Sequence, residues 1–432
     1  MAGNLSMILS EPQRVPGSLG DLIFGRNAFW FSSSSLTSLR QPPQVHQLMK
    51  FMIAYTVALL SYSSLSSALR HEKRQNSNAT NASPKIIIDN DWGAPDFYLI
   101  LMALALDYEV LGLTSNSANT WALQSSLHAL RGLELGNLTS CIPVYKGADY
   151  PLLNTPSLFQ SWQYIHGALP WQGVFAPENL TAQAAGFDPT SGDPNTINPV
   201  AFVGGTVPDQ SLLAGYQAAI FMIESVRKHP SQVSIYSAGA LTNIALAIRL
   251  DPTFAQNAKE LVVMGGYIDT TLLQATGDFL QADINSDINL KIDPESSKIA
   301  LTADWKNVTL VSAAANNVFI NATDYAEISS VNNTYTQAFV SKYFPVLPAW
   351  DATAMAVLLD RENVLTNSTE FFVDVDVAWF SPYYGEIRAY QQILAPMGQQ
   401  LRNVSYAFSV DEDRVKSMMK QAMMQPRTCA DV

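Results

Sequence analysis

The sequence predicts an α/β protein: an open, mostly parallel sheet flanked by helices, with its chemistry at the carboxyl ends of the strands. Three observations point there. Ile86 to Ile88 form a β-branched run without alternation, as in a strand buried on both faces. Strand-like runs then alternate with helical ones, the rhythm of right-handed βαβ units. The first strand ends in Asp89-Asn90-Asp91-Trp92-Gly93-Ala94-Pro95-Asp96, which sets three carboxylates at a strand tip, where open α/β sheets take their ligands.

The elements follow in order. Phe97 to Leu106 read as a helix, with Asp96 at its start as a cap or as a ligand. Tyr108 to Thr114 give a second strand. Trp121 to Leu135 give an amphipathic helix closed by Gly136 as the residue after its C-cap. Pro143 to Gly147 give a third strand. Residues 148–210 break the rhythm with prolines, glycines and aromatics, among them Trp162, Tyr164, His166, Trp171 and Phe175, and read as a lid or binding loop. Leu212 to Lys228 read as a helix, Val233 to Ser237 as a strand, Leu241 to Leu250 as a helix, and Leu261 to Met264 as a strand. Asp293-Pro294 start another helix, with Asp as cap and Pro in the first turn. Val308 to Ser312 make one more strand. Residues 372–409 read as strands and hairpins added at an edge, and Asp411 to Met424 as a terminal helix. No internal repeat is present.

Bulk properties bound the function. With 432 residues, 48% of them apolar, the chain can fill one large core. A net charge of −12 argues against binding a nucleic-acid backbone through bulk charge and is compatible with a cation site. Carboxylate oxygens are what hard cations such as calcium or magnesium take. The plainer reading of D-x-D alone is a solvated acidic turn. No cysteine cluster or close histidine pair suggests zinc. Cys141 and Cys429 can pair in an oxidising compartment, though two cysteines make no framework.

The amino terminus carries a secretory pattern. Met49-Lys50 precede an apolar stretch from Phe51 to Leu60, then small polar residues to Ala68 and a dibasic Lys73-Arg74. The apolar stretch is too short to span a bilayer, so no membrane anchor is expected. We expect residues 1–48 to be a non-native or disordered extension ahead of a true start at Met49, 49–74 a signal peptide with a dibasic processing site, 75–84 a linker, and 85–432 the functional domain. Asn78, Asn81, Asn137, Asn179, Asn307, Asn321, Asn332, Asn367 and Asn403 all begin N-x-S/T sequons, a density that fits a secreted, glycosylated protein.

Four separated segments resemble the inosine–uridine-preferring nucleoside hydrolase family, from about Lys85 to at least Asp360. The first is D-x-D-x-G-x-D-D, here Asp89 to Asp96. The second is T-x-x-x-x-N, here Thr114 to Asn119. The third is Ser237-Ala238-Gly239-Ala240-Leu241-Thr242-Asn243-Ile244-Ala245, with Val263-Met264-Gly265-Gly266 and Asp287-Ile288-Asn289 after it. The fourth is Asp351 ahead of an alanine-rich helix. The resemblance implies a Rossmann-like mixed sheet and hydrolysis of the N-glycosidic bond of ribonucleosides to ribose and base. It implies a calcium ion held by Asp91, Asp96, Asp351 and the Ala238 carbonyl, with Asp89 supporting the site. Asp91 would act as general base on a water, Asn119, Asp287 and Asn289 would bind sugar hydroxyls, and His166 would stand at the pocket mouth with a catalytic part. Family members are commonly homodimers or homotetramers.

The chain departs from the pattern in three places. Pro95 replaces an acid that grips a ribose hydroxyl, a charge-assisted bond worth roughly 1.5–3 kcal/mol. Trp350 replaces a histidine that helps protonate the leaving base; indole cannot do so at neutral pH and serves as a stacking wall or marks a changed substrate. Trp92 replaces a proline and is expected to narrow the pocket floor. Trp162 and Trp171 read as lid packing rather than stacking platforms. Two alternatives stay open: a hydrolase of another N- or O-glycoside, and a secreted, non-catalytic calcium-binding protein of the same fold.

Overall fold

The computed structural model describes residues 83–169, 171–268, 287–343, 347–399 and 401–431. The expectations for the extension, the signal segment and most of the linker, and the sequons at Asn78 and Asn81, lie outside these residues.

Strand β1 (Lys85–Asn90) is buried along its whole length. Ile86 and Ile88 enter one hydrophobic core and Ile87 another, on the opposite face of the sheet. A strand covered on both faces has no solvent side, which explains the missing alternation. Helix α1 (Tyr98–Ala105) returns the chain to β2 (Glu109–Ser115), and α2 (Ala122–Glu134) returns it to β3 (Val144–Tyr145). After the insertion, which holds α3 (Pro156–His166), come α4 (Ala218–Lys228), β4 (Val233–Ala238), α5 (Thr242–Leu250) and β5 (Glu260–Met264). Next are α6 (Ile288–Ile292), α7 (Pro294–Leu301), β6 (Val308–Val311) and α8 (Trp350–Leu359). The chain ends with β7 (Leu365–Val375), β8 (Ile387–Tyr390), β9 (Arg402–Val410) and α9 (Glu412–Met424).

The strands form one sheet in the order β3-β2-β1-β4-β5-β6-β9-β7-β8. Pairing is parallel from β3 through β9 and antiparallel for β7 with both its neighbours. The chain runs outward from β1 to β3 and then crosses back to start β4 on the other side of β1. The β1–β4 boundary is therefore the point where strand order reverses, the place where open α/β sheets take their ligands. Helix α8 is buried from Ala352 to Leu358, as a helix apolar on all sides must be.

Several expectations are corrected. The helix expected over Leu212–Lys228 is only α4. Residues ahead of it serve the edge strand β3 instead, with the Ala214 N–H donating to Val144 and the Lys146 N–H to Gly215, both at 2.8 Å. An unpaired edge takes the backbone that a helix would have used. Gly136 does not take the left-handed conformation; Asn137 does, with φ 56. Gly136 is small because Tyr335 lies against it, and a Cβ there would sit 2.3 Å from the Tyr335 hydroxyl. The strands expected over 372–409 do extend one edge of the parallel sheet, with β9 against β6 and β7 and β8 beyond it, and Val404, Tyr406 and Ala407 buried. Asp96 does not cap α1, whose N-cap, Phe97, makes no side-chain bond.

The insertion builds a third, smaller core from Trp121, Phe159, Trp162, Val174 and Phe175 among others. Trp162 is buried there, its indole N–H on the Ser381 carbonyl at 2.9 Å. Trp92 is fully buried too and donates to Thr114 O at 2.8 Å, so it belongs to the core and not to a pocket floor.

Cys141 and Cys429 are bonded across a sequence separation of 288, tying the C-terminal tail to the chain after α2. Replacing Cys429 with Ser should lower unfolding free energy by about 2–4 kcal/mol, because so long a closed loop restricts the unfolded chain strongly. A reduced urea midpoint would show this; an unchanged midpoint would show that the bridge contributes nothing.

Candidate active site

The strand tip begins with Asp89, which is fully buried. Four side chains donate to it: Thr114 at 2.6 Å, Asn243 at 2.8 Å, Ser237 at 3.0 Å and Asn116 at 3.1 Å. A carboxylate offers about four acceptor positions, and all are spoken for. Burial pushes its pKa up, against the pull of these bonds. Asp89 thus fastens β1 to β2, to the loop after β2, to β4 and to α5, and has no lone pair left for an ion.

Asp91 follows, 3% exposed. Its N–H donates to Ala238 O at 3.1 Å across the β1–β4 boundary, and its Oδ2 accepts the Asn119 N–H at 2.9 Å. Burial, and then the charge of Asp96, push its pKa up to about 7. Asp96 accepts the Gly93 N–H and a Tyr98 hydroxyl bond, and burial raises it as well. Asp351 arrives from the first turn of α8, with the Tyr236 hydroxyl donating to its backbone carbonyl at 3.1 Å. With the Asn90 amide oriented to donate, its nitrogen lies 3.1 Å from Ala238 O and 3.3 Å from Asp351 Oδ2. Burial raises Asp351 well above the carboxylate range, helped by Asp96 and Asp91.

Asp96 therefore acts on Asp91, and both act on Asp351, as buried like charges, although 260 positions separate Asp91 from Asp351 in sequence. The charges acting on Asp91 and Asp351 are other carboxylates; His128 offsets Asp96 alone. Among the described residues no three His, Cys, Asp or Glu side chains are gathered as a group that could hold a metal ion. The donor chemistry is nonetheless that of a hard cation, all oxygen, with no thiolate or imidazole. The Ala238 carbonyl borders the acids but already accepts from Asp91 N–H and, at 3.2 Å, from Asn116 Nδ2. One of these bonds would have to open for it to join an ion.

The other expected residues divide. Asn119 is exposed, and its Oδ1 accepts the Trp171 indole N–H at 2.9 Å. Asp287 is buried and committed: it caps α6 and accepts the Gly266 and Tyr267 N–H groups of the turn after β5. Asn289, also buried, donates to Met264 O at 3.0 Å. Trp350 donates to Asn316 Oδ1 at 2.8 Å, which fixes its indole. His166 ends α3 with its ring 5.0 Å from that of Trp162, and its Nε2 has no hydrogen-bond partner among the described residues. Sequence reasoning passed over Asn90, Asn116 and Asn243, which hold the acids in place. Asn116 lay within the T-x-x-x-x-N segment and Asn243 within Leu-Thr-Asn, so spacing alone did not mark them.

Comparisons with known proteins bear on the family and the fold. The family model described as inosine–uridine preferring nucleoside hydrolase matches residues 86–417. A Schizosaccharomyces pombe protein, C800.11, is 35% identical over 335 residues, spanning 74% of this chain and 79% of its own. A probable uridine nucleosidase 2 of Arabidopsis thaliana is 27% identical over 274 residues, spanning 63% and 72%. Among solved structures, a plant nucleoside hydrolase superposes with a TM-score of 0.56 at 20% identity, covering 80% of this chain and 100% of its own, a likeness of fold.

The two acids of the D-x-D should respond oppositely to neutralisation. The folded pKa of Asp91, about 7, lies above the ordinary 3.8. Its contribution to the stability of chelator-treated protein is therefore fully present below 3.8 and is lost as pH rises through about 7. Asp91→Asn should raise the melting temperature of that protein at pH 7.5. Asp89→Asn should lower it, leaving buried donors unmatched at about 1–3 kcal/mol each. Equal losses from both variants would contradict the division of roles.

Proposed function

The chain belongs to the inosine–uridine preferring nucleoside hydrolase family, and we propose that it hydrolyses the N-glycosidic bond of ribonucleosides to ribose and free base outside the cell. Membership supports nucleosidase chemistry in general; the assignments that follow are our own reading. The observation that carries them is the placement of Asp91, a buried carboxylate at the reversal point of the sheet, held by the Asn119 N–H and by Ala238 O. Burial and neighbouring carboxylates raise the proton affinity of Asp91, as suits a general base, and a bound cation would pull it back down.

In this reading Asp91 takes the proton of a water that attacks the anomeric carbon. Asn119 holds Asp91 from one side through its N–H, and Ala238 O fixes the Asp91 backbone from the other. A calcium ion held by Asp91, Asp96, Asp351 and the Ala238 carbonyl would supply the charge that lowers the pKa of that water and anchors the sugar diol. Asn119, the exposed member of the three expected sugar contacts, is first in line for the hydroxyls, while Asp287 and Asn289 frame the wall beyond β5. Trp350 acts as a wall for the base, since its only donor is held by Asn316 and an indole cannot act as an acid at neutral pH.

Secretion is supported by two features. The Cys141–Cys429 bond suits an oxidising compartment. Asn137, Asn179, Asn307, Asn321, Asn332, Asn367 and Asn403, the sequon asparagines among the described residues, are all exposed.

The test is incubation of purified protein with inosine, uridine, adenosine and guanosine, with free ribose as readout. Ribose should appear, should stop with chelator, and should fall at least about 100-fold in Asp91→Ala, the lower end of what a general base contributes. Silence on every nucleoside would reject the reading and leave a non-catalytic protein or another glycoside as substrate.

A further inference from the structure

The loop between β2 and α2 carries Asn119, and each of its residues from Ala118 to Trp121 is bonded to the 148–210 insertion. Ala118 O accepts the Val174 N–H at 2.6 Å, and Asn119 Oδ1 accepts the Trp171 indole N–H at 2.9 Å. The Thr120 hydroxyl donates to Pro189 O and the Trp121 indole N–H to Ser191 O, both at 2.7 Å. The insertion is shaped for this contact. Gly173, at φ 52, comes so near that a Cβ would lie 2.4 Å from Ala118 O. Ser191 sits at φ 51, a left-handed conformation that costs a non-glycine residue of order 1 kcal/mol and persists where surroundings hold it. Its N–H donates to Val174 O at 2.7 Å, locking the two contact points together. On its other side the loop meets the acids, through the Asn119 N–H on Asp91 Oδ2 at 2.9 Å.

We propose that Trp171 is a positioning residue: its indole N–H holds the Asn119 side chain, and through Asn119 it sets the orientation of Asp91. The inference rests on the reading of Asp91 as the base and extends it into the insertion. Trp171 is 49% exposed, so its ring is not retained for burial, and its one polar atom is spent on Asn119. Indole N–H is a donor only and thus selects Oδ1 of the amide. Among the described residues nothing accepts the two Nδ2 hydrogens of Asn119, so the site presents a donor there and fits a ligand acceptor, such as a hydroxyl oxygen. A tryptophan first read as lid packing becomes the link between the insertion and the chemistry.

Three variants test this: Trp171→Phe, which keeps a ring and removes the donor, Asn119→Ala, and the double variant. Trp171→Phe should lower kcat by roughly 3- to 10-fold, the worth of one hydrogen bond, and leave KM within about twofold. The double variant should be no slower than Asn119→Ala alone, because both changes remove one interaction. Losses that multiply, an unchanged kcat, or a rise in KM alone would overturn the proposal. Hydrogen exchange gives a readout without turnover: amides 116–121 should exchange faster in Trp171→Phe while the rest of the sheet is unchanged, and unaltered exchange would overturn it. If wild-type protein releases ribose from no nucleoside, the functional reading fails on its own, and exchange still decides whether Trp171 holds this loop.

Discussion

Everything at the strand tip depends on one buried carboxylate being fully satisfied. Asp89 sits among Thr114, Asn116, Ser237 and Asn243, and those donors come from the next strand, its following loop, the strand across the reversal point and the helix after it. An isolated buried charge costs several kcal/mol. Here the cost is offset by four bonds to a charged acceptor, each worth roughly 1.5–3 kcal/mol. The same bonds fix where the backbone of Asn90 and Asp91 must run. Burial of Ile86, Ile87 and Ile88, worth roughly 2 kcal/mol apiece, anchors the strand from behind.

From that anchor the other acids are arranged under tension. Burial raises all three of Asp91, Asp96 and Asp351, Asp96 raises Asp91 further, and both raise Asp351, with no basic side chain among the described residues offsetting Asp91 or Asp351. Such a cluster lowers the stability of the chain that carries it, which is the usual trade at a functional site. Within a single D-x-D the two acids differ: Asp89 is spent on the fold through four side-chain donors, whereas Asp91 accepts the Asn119 N–H and is the base in the proposed function.

The sheet was legible because its signals are local. Unalternated Ile86–Ile88, the Asp293-Pro294 start of α7 and the paced strands each speak for themselves, and Asp293 does cap that helix through the Ser296 N–H. Misreadings arose where a distant partner decided. The residues before α4 took up the open edge of β3, and Gly136 answered to Tyr335, both beyond the reach of propensity. At the site, charge pattern located the tip but could not rank the acids, since the partners that exhaust Asp89 lie up to 154 positions away. Trp92 beside the acids suggested a pocket floor, yet its indole found Thr114 O inside the core. Trp171 looked like packing because nothing local ties it to Asn119, 52 positions earlier.

In the proposed function Asp91, Asp96 and Asp351, joined only by folding, hold a divalent cation together. Calorimetric titration of calcium into chelator-stripped wild-type protein and into Asp351→Asn measures it most directly. The account predicts one saturable site in the wild type and its loss in the variant, with the variant still folded. Absence of binding to the wild type, or equal affinity in the two proteins, would contradict it.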